Sequence, residues 1–227
     1  MKKQRNPIYL LFRAVSLVLI FALLLSSCSK KSTTRDERIN EFVRENPSLK
    51  TGQAVFIGDS ITAKYKLGSH YRKAELECYN RGISGDTTDW LITRLEVSLF
   101  DLEPSKIVLM IGTNDINGGK TPDEIALNYS LILSLISKKL PNAKVICVSI
   151  IPQNEEYSED AHENNGRIKL TNEKIEALAH KHGYEYVDLY SHLTDESGLL
   201  KHGYSYDGLH LSRRGYRVWT RVMKDKI

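Results

Sequence analysis

The chain has 227 residues, of which 41% are hydrophobic and 26% are charged, enough for one globular domain with a sizeable core. Its formal net charge of +4 derives from Lys2, Lys3, Arg5 and Arg13, since residues 1–27 contain no acidic residue. The rest of the chain is neutral as a whole, so no basic excess predicts binding to nucleic acid or to an anionic membrane surface.

The first residues are predicted to direct the chain to a membrane. The basic residues precede an apolar stretch at 14–25, too short to span a bilayer, and small residues follow it. This pattern predicts a signal peptide over 1–27, and Leu25-Ser26-Ser27-Cys28 resembles the bacterial lipobox. The resemblance implies that Cys28 is lipidated and that the protein is extracytoplasmic, held at a bacterial membrane by its acyl chains alone. Ser29 implies the outer membrane if the host is Gram-negative, and an uncleaved anchor with an incidental cysteine is the alternative.

A polar segment separates this leader from the region that is expected to fold. Residues 28–37 lack periodicity, which predicts a lipidated tether ahead of a folded domain over 38–227. A short amphipathic helix is expected to begin near Ile39. Cys78 and Cys147 lie in apolar, strand-like runs, which favours buried free thiols over a disulfide.

Apolar runs and helical patterns alternate through the domain. The predicted strands are 54–57, 76–79, 107–111, 145–151 and 186–189. The predicted helices are 87–99, 121–139, 165–182 and a last one from about Arg213; the second opens with a capping box at Thr121. This alternation predicts a five-stranded parallel sheet with helices on both faces, a flavodoxin-like three-layer α/β/α sandwich. The polar segment 153–166 is either a lid or a solvated loop, and the solvated loop is favoured.

Polar residues follow the ends of successive predicted strands. Ser60, Gly82 and Asn114 come after the first three strands, and Asp207 and His210 come after the fifth. The carboxyl ends of parallel strands meet at one edge of the sheet, so these residues are expected to lie together. Singly, each could be a helix cap, a turn residue or a surface hydrogen bond. Independent caps have no reason to appear at successive strand ends, which favours a functional site.

Four blocks of this sequence resemble the conserved blocks of the SGNH hydrolases, also called GDSL esterases. They are Gly58-Asp59-Ser60-Ile61, Gly82, Gly112-Thr113-Asn114-Asp115 and Asp207-x-x-His210, in the family's order across nearly the whole domain. The stretch 80–88, NRGISGDTT, is similar to the second block of the platelet-activating-factor acetylhydrolase catalytic subunits. The family name has leucine where this chain has Ile61, a small apolar exchange.

The residue types indicate acyl transfer by a serine nucleophile. Ser60 would attack the ester, His210 would act as general base and acid, and Asp207 would orient the imidazole. The resemblance implies an oxyanion hole formed by the N–H groups of Ser60 and Gly82 and the side-chain amide of Asn114. No cofactor is expected, and the spacing of the other histidines does not predict a metal site. Asp59 and Asp115, in the same loops, are expected to brace the backbone rather than to react.

The predicted function is therefore that of a serine esterase. The resemblance favours short acyl groups, particularly O-acetyl esters on carbohydrates, so the expected partner is a small-molecule or glycan ester. Lysophospholipase or thioesterase activity is the enzymatic alternative, and a non-catalytic glycan-binding lipoprotein is an alternative of a different class. Tyr204 and Tyr206, beside Asp207, could stack on a sugar ring or pack in the core or at its rim. The oligomeric state stays open.

Overall fold

The computed structural model describes residues 34–227. The predicted signal peptide, Cys28 and residues 28–33 of the predicted tether lie outside these residues. Of two units in the chain, Glu37–Ile227 contains the whole of the predicted domain, 38–227. Helix α1, Thr34–Glu45, starts five residues earlier than expected, so the end of the predicted tether is helical. Within 34–227, no helix combines the length and the apolar character needed to cross a bilayer.

The sheet confirms the predicted fold class. Its strands are β1 Ala54–Gly58, β2 Cys78–Gly82, β3 Lys106–Met110, β4 Lys144–Val148 and β5 Glu185–Val187. All neighbours pair in parallel, in the order β2-β1-β3-β4-β5. The order reverses between β1 and β3, which is where open parallel sheets form their ligand sites.

Strand β2 lies two to three residues further along the chain than predicted, so the boundary at 76–79 is wrong. Its polar sequence includes Arg81, whose side chain is only 3% exposed. The guanidinium of Arg81 lies over the Phe42 ring of α1 and pairs with Glu45, which lets a charged residue occupy a strand position. Helix α1 is thereby attached to the edge strand of the sheet.

The remaining helices connect the strands. They are α2 Ser60–Ala63, α3 Leu67–His70, α4 Thr88–Ile92, α5 Leu95–Ser98, α6 Thr113–Asn117, α7 Pro122–Lys139, α8 Ala161–Lys181, α9 Tyr190–Leu193 and α10 Arg213–Val222, with 3₁₀ turns at Asn46–Ser48, Phe100–Leu102 and His202–Tyr204. The predicted capping box of Thr121 and Glu124 is present at α7. The predicted helix 87–99 is instead two short helices, because the chain breaks at Thr93, whose hydroxyl bonds to the Trp90 carbonyl.

Apolar side chains cover both faces of the sheet. Val55 and Ile57 belong to one buried cluster, which packs under α7 and α8, whereas Phe56 belongs to a second, which packs under α10. Alternate residues of one strand therefore enter different cores, as expected of a parallel sheet buried on both faces. Cys147 is a buried free thiol as predicted, but Cys78 is only partly buried.

Candidate active site

Ser60 is the first residue of α2 and directly follows β1. The turn that presents it is tight, since a Cβ atom at Gly58 would lie 2.0 Å from the Met110 carbonyl oxygen. Asp59 caps α2 by accepting a hydrogen bond from the Ile61 N–H at 2.9 Å. These contacts fix the backbone on both sides of Ser60 at the carboxyl edge of the sheet.

The structure brings Ser60, His210 and Asp207 into one chain of hydrogen bonds. Ser60 Oγ lies 2.9 Å from His210 Nε2, and His210 Nδ1 lies 2.6 Å from Asp207 Oδ2. Asp207 Oδ1 accepts further hydrogen bonds from the N–H groups of His210 and Leu209. Partial burial acts to raise the pKa of Asp207, but the hydrogen bonds from His210 and Leu209 outweigh it and leave the pKa below its usual value. The carboxylate therefore stays charged and holds the imidazole in one orientation.

The turn that carries Asp207 and His210 is built around Gly208. This residue has φ +79°, and a Cβ atom there would lie 2.4 Å from the Tyr157 nitrogen and 2.3 Å from Asn154 Oδ1. The Gly208 carbonyl accepts a hydrogen bond from the Asn154 N–H at 2.9 Å. The segment after β4 thus holds the turn that carries Asp207 and His210 in place.

The expectation of a solvated loop over 153–166 is wrong for its two ends. Gln153 and Asn154 are fully buried, and α8 already begins at Ala161, so the irregular, mostly exposed stretch is confined to 155–160. Asn165 is buried as well and binds the Gln153 main chain through both ends of its amide. The high proportion of Asn in this segment reflects side chains that satisfy buried backbone groups.

Gly82 is the last residue of β2 and lies beside α2. A Cβ atom at this position would lie 2.2 Å from the Ala63 nitrogen and 2.8 Å from the Asp59 carbonyl oxygen, so glycine permits β2 to pack against α2. The Gly82 N–H donates to Asn80 Oδ1 at 2.9 Å. The Gly82 N–H can therefore donate to an oxyanion only if it shares this hydrogen bond between Asn80 and the oxyanion or gives up the bond to Asn80.

Asn114 lies in the first turn of α6, after β3. Gly112, two residues before Asn114, has φ +126°, a conformation that favours glycine. Asn114 Nδ2 donates to the Asp86 carbonyl oxygen at 2.8 Å, which fixes the amide while its second hydrogen can point at an oxyanion. The sequence-predicted donor is thus held by a residue of the loop after β2.

Sequence reasoning missed a buried ion pair beneath these residues. Arg94 and Asp86 are 2% and 0% exposed, and Arg94 Nε lies 2.5 Å from Asp86 Oδ2. Asp86 lies inside the segment 80–88, and the resemblance of this segment to the acetylhydrolases could have pointed to a role for Asp86. Arg94 lies in what the sequence presents as an amphipathic helix, where an arginine is normally exposed.

Asp115 braces the backbone as predicted. Its carboxylate accepts hydrogen bonds from the Thr88 N–H and hydroxyl at 2.8 and 2.6 Å and pairs with Lys120. Asp59 differs, because its Oδ1 caps α2 while its buried Oδ2 has no hydrogen-bond partner among residues 34–227. Burial raises the pKa of Asp59 to about 7, against the hydrogen bond from Ile61, and the nearby charges of Asp86 and Asp115 add to the rise.

The substitution Asp59→Asn should stabilise the protein above neutral pH. The folded carboxyl titrates near pH 7 and its unfolded reference is 3.8, so wild-type stability should fall as the pH rises between these values. The amide keeps the cap and carries no charge, so we expect a gain on the order of 2–4 kcal/mol at pH 8 and a flatter profile. Urea unfolding from pH 4 to pH 8 measures both. The carboxylate of Asp115 is fully hydrogen-bonded, so Asp115→Asn should instead destabilise the protein. If the free energy of unfolding changed with pH equally in wild type and in Asp59→Asn, the raised pKa of Asp59 would be contradicted.

Within the described range, no group of three or more His, Cys, Asp or Glu side chains is arranged to hold a metal ion. Comparison with known proteins indicates the family of this chain. The model of the GDSL-like Lipase/Acylhydrolase family matches residues 56–218, which include every predicted catalytic and oxyanion residue. The chain belongs to the GDSL-like lipase/acylhydrolase family. As a member of this family, it is an ester hydrolase.

Curated relatives agree with the family assignment. The chain is 31% identical over 178 residues to platelet-activating factor acetylhydrolase IB subunit alpha1 of Bos taurus, covering 77% of this chain and 74% of the relative. It is 28% identical to the alpha2 subunit of Rattus norvegicus, covering 78% and 77%. The resemblance noted in the sequence of 80–88 therefore extends over most of the GDSL-like domain.

Solved structures share the fold of this GDSL-like chain. One from Streptococcus pneumonia, described as a platelet activating factor, has a TM-score of 0.78 at 31% identity and covers 93% of this chain and 98% of that one. A GDSL-like lipase from Bacteroides thetaiotaomicron has a TM-score of 0.72 at 24% identity, covering 82% and 95%. The second supports the fold alone, whereas the first agrees in sequence as well.

Proposed function

We propose that this esterase acts through a serine acyl-enzyme, with Ser60 as the nucleophile. The observation that carries the proposal is the hydrogen-bonded chain from Ser60 Oγ through His210 to Asp207. A serine hydroxyl is a weak nucleophile unless a neighbouring base removes its proton. His210 Nε2 lies within reach of that proton, and Asp207 keeps the proton of the ring on Nδ1.

In the first step, Ser60 Oγ attacks the acyl carbon while His210 Nε2 takes its proton. The resulting oxyanion is stabilised by the N–H of Ser60 and the side-chain amide of Asn114, with Gly82 as the third donor once its N–H leaves Asn80. Collapse of this intermediate breaks the ester bond, and His210 returns the proton to the departing alcohol. Water then attacks the acyl-enzyme by the same steps and releases the acid.

The substrates that we propose are short-chain acyl esters, chiefly O-acetyl esters of carbohydrates. The acyl size is supported by the relatives at 31% identity, which are named as acetylhydrolases. The carbohydrate is supported by Tyr206, which is 59% exposed and stacks on the His210 ring with centroids 5.9 Å apart. Its ring borders the place where the alcohol leaves, and an exposed aromatic face can stack on a sugar. Tyr204, by contrast, packs against the core.

A series of p-nitrophenyl esters of increasing acyl length tests the acyl assignment. With the purified full-length protein, kcat/KM should be highest for acetate and fall as the chain lengthens. A preference for long chains would favour the lysophospholipase or thioesterase alternative. Inactivity towards every ester, together with binding to glycans, would favour the glycan-binding alternative.

The substitution Tyr206→Ala should separate sugar recognition from chemistry. Loss of stacking should raise KM for an acetylated oligosaccharide about 5- to 30-fold, because one aromatic contact contributes on the order of 1–2 kcal/mol. KM for p-nitrophenyl acetate should change far less. Tyr206→Phe is the matched control, since it removes only the hydroxyl that binds Lys64. Equal changes of KM for both substrates would show that Tyr206 supports His210 rather than the sugar.

We further propose that Cys28 carries the lipid anchor and that the enzyme is extracytoplasmic, held at a bacterial membrane by its acyl chains. The support is the sequence 25–28, which resembles the lipobox. Cys28→Ser should move the protein from the membrane fraction to the soluble fraction and abolish incorporation of labelled palmitate. Membrane association that persists in Cys28→Ser would favour the uncleaved anchor.

A further inference from the structure

Arg94 is a buried cation that binds main-chain groups close to the proposed oxyanion hole. Besides the ion pair with Asp86, its Nη2 donates to the Gly58 carbonyl oxygen and its Nη1 to the Arg81 carbonyl oxygen, both at 2.9 Å. Nη1 also donates to Ser98 Oγ at 2.9 Å. One side chain therefore joins the ends of β1 and β2 to the loop that follows β2.

These contacts reach each of the three segments that carry an oxyanion donor. Gly58 ends the strand that presents Ser60, and Arg81 directly precedes Gly82. The third link is indirect, because Asp86 binds Arg94 through its carboxylate and Asn114 Nδ2 through its main-chain carbonyl. Movement of Arg94 would therefore displace all three donors relative to one another.

Arginine is the only side chain that can make this set of contacts. Its planar guanidinium offers five N–H donors in a fixed fork, whereas lysine offers a single charged nitrogen. Burial of an ion pair is costly, and apolar packing of the same volume is often as stable. The ion pair is thus better explained by the positions in which Arg94 holds the carbonyl groups of Gly58 and Arg81 than by a contribution to the stability of the fold.

We propose that Arg94, paired with Asp86, is a positioning residue that keeps the oxyanion donors in register and so determines kcat. This inference rests on the proposed acyl-enzyme mechanism. Arg94 touches neither the substrate nor Ser60 Oγ, and it acts through the main chain at Gly58 and Arg81 and through Asp86. Its contribution should appear in the transition state, where the negative charge develops, and not in ground-state binding.

The substitution Arg94→Lys in the full-length enzyme tests the proposal, since it keeps the charge and loses the fork. With p-nitrophenyl acetate, kcat should fall about 10- to 100-fold, which is no more than the fall expected when one oxyanion donor is removed completely. KM should stay within about threefold of the wild-type value. The shape of the pH profile of kcat/KM should be unchanged, because His210 and Asp207 are untouched. Arg167→Lys is the matched control: that guanidinium also binds main-chain carbonyls, but at the far end of α6.

Guanidinium ion provides a second measurement that a purely structural role would not move. In Arg94→Ala, millimolar guanidinium should restore kcat several-fold, and ammonium should not. Wild-type kcat in Arg94→Lys, a loss confined to KM, or a folded Arg94→Ala that guanidinium fails to restore would each overturn the inference. If Arg94→Ala does not fold, Arg94→Lys decides alone. Failure of the proposed mechanism is distinguishable, because it would appear as full activity in Ser60→Ala.

Discussion

Ser60→Ala should reduce kcat for p-nitrophenyl acetate on the order of 10⁵- to 10⁶-fold, the loss expected when a hydrolase loses its nucleophile. The hydroxyl of Ser60 contacts His210, whereas the main-chain bond from the Lys64 N–H to the Ser60 carbonyl remains after the substitution. The variant should therefore unfold at nearly the wild-type temperature. Steady-state kinetics and thermal unfolding by circular dichroism measure the two effects.

Ser69→Ala is a suitable control for that experiment. Ser69 is exposed and lies in α3, the next helix along the chain, so its loss should leave kcat unchanged. An active-site serine also reacts with organophosphonate esters, so the wild type and Ser69→Ala should be inactivated with one equivalent bound. Retention of even a tenth of the wild-type kcat by Ser60→Ala would show that another group attacks the ester.

Asn114→Ala is expected to have the second-largest effect, a fall in kcat on the order of a hundredfold to a thousandfold. The amide of Asn114 is the one side-chain donor of the proposed oxyanion hole, and the charge that it would stabilise develops only after attack by Ser60. KM should therefore change little. The Asp86 carbonyl loses its hydrogen-bond partner as well, which should lower stability by about 1 kcal/mol.

Asn117→Ala controls for the loss of an asparagine from the same short helix. Its amide binds Gln153 and Tyr157 instead of facing the nucleophile, so kcat should stay close to wild type. Kinetics of both variants over the same ester concentrations make the comparison. A rise in KM at constant kcat in Asn114→Ala would place the amide on the ground-state substrate and remove it from the oxyanion hole.

The sheet and the positions of the polar loops could be predicted because their physical causes are local. The central strands β3 and β4 are buried on both faces, so the sequence there is a continuous apolar run. Parallel pairing then places the carboxyl ends of all the strands at one edge of the sheet. The residues that follow these ends lie at the same edge, namely Ser60, Asn114, Asp207 and His210. No atomic detail was needed for that step.

What escaped prediction depends on contacts between distant segments. The polar end of β2 is a strand because Arg81 is enclosed by α1, and an arginine alone in the sequence gives no sign of this. The burial of Arg94 likewise depends on its bonds to the Gly58 and Arg81 carbonyls, which lie far from it in the sequence. The family resemblance singled out Gly82 as an oxyanion donor, but the close approach of α2, which excludes a side chain at this position, is visible only in three dimensions.

Gly208 is expected to tolerate few substitutions although it takes no part in the proposed reaction. The residue supplies no reacting group, yet its positive φ and its contacts with Asn154 and Tyr157 leave no volume for a side chain. In a library of all single substitutions, position 208 should therefore be as depleted among active clones as Asp207 beside it. The neighbouring Tyr206, whose ring faces solvent, should accept most residues when the library is selected on a small ester.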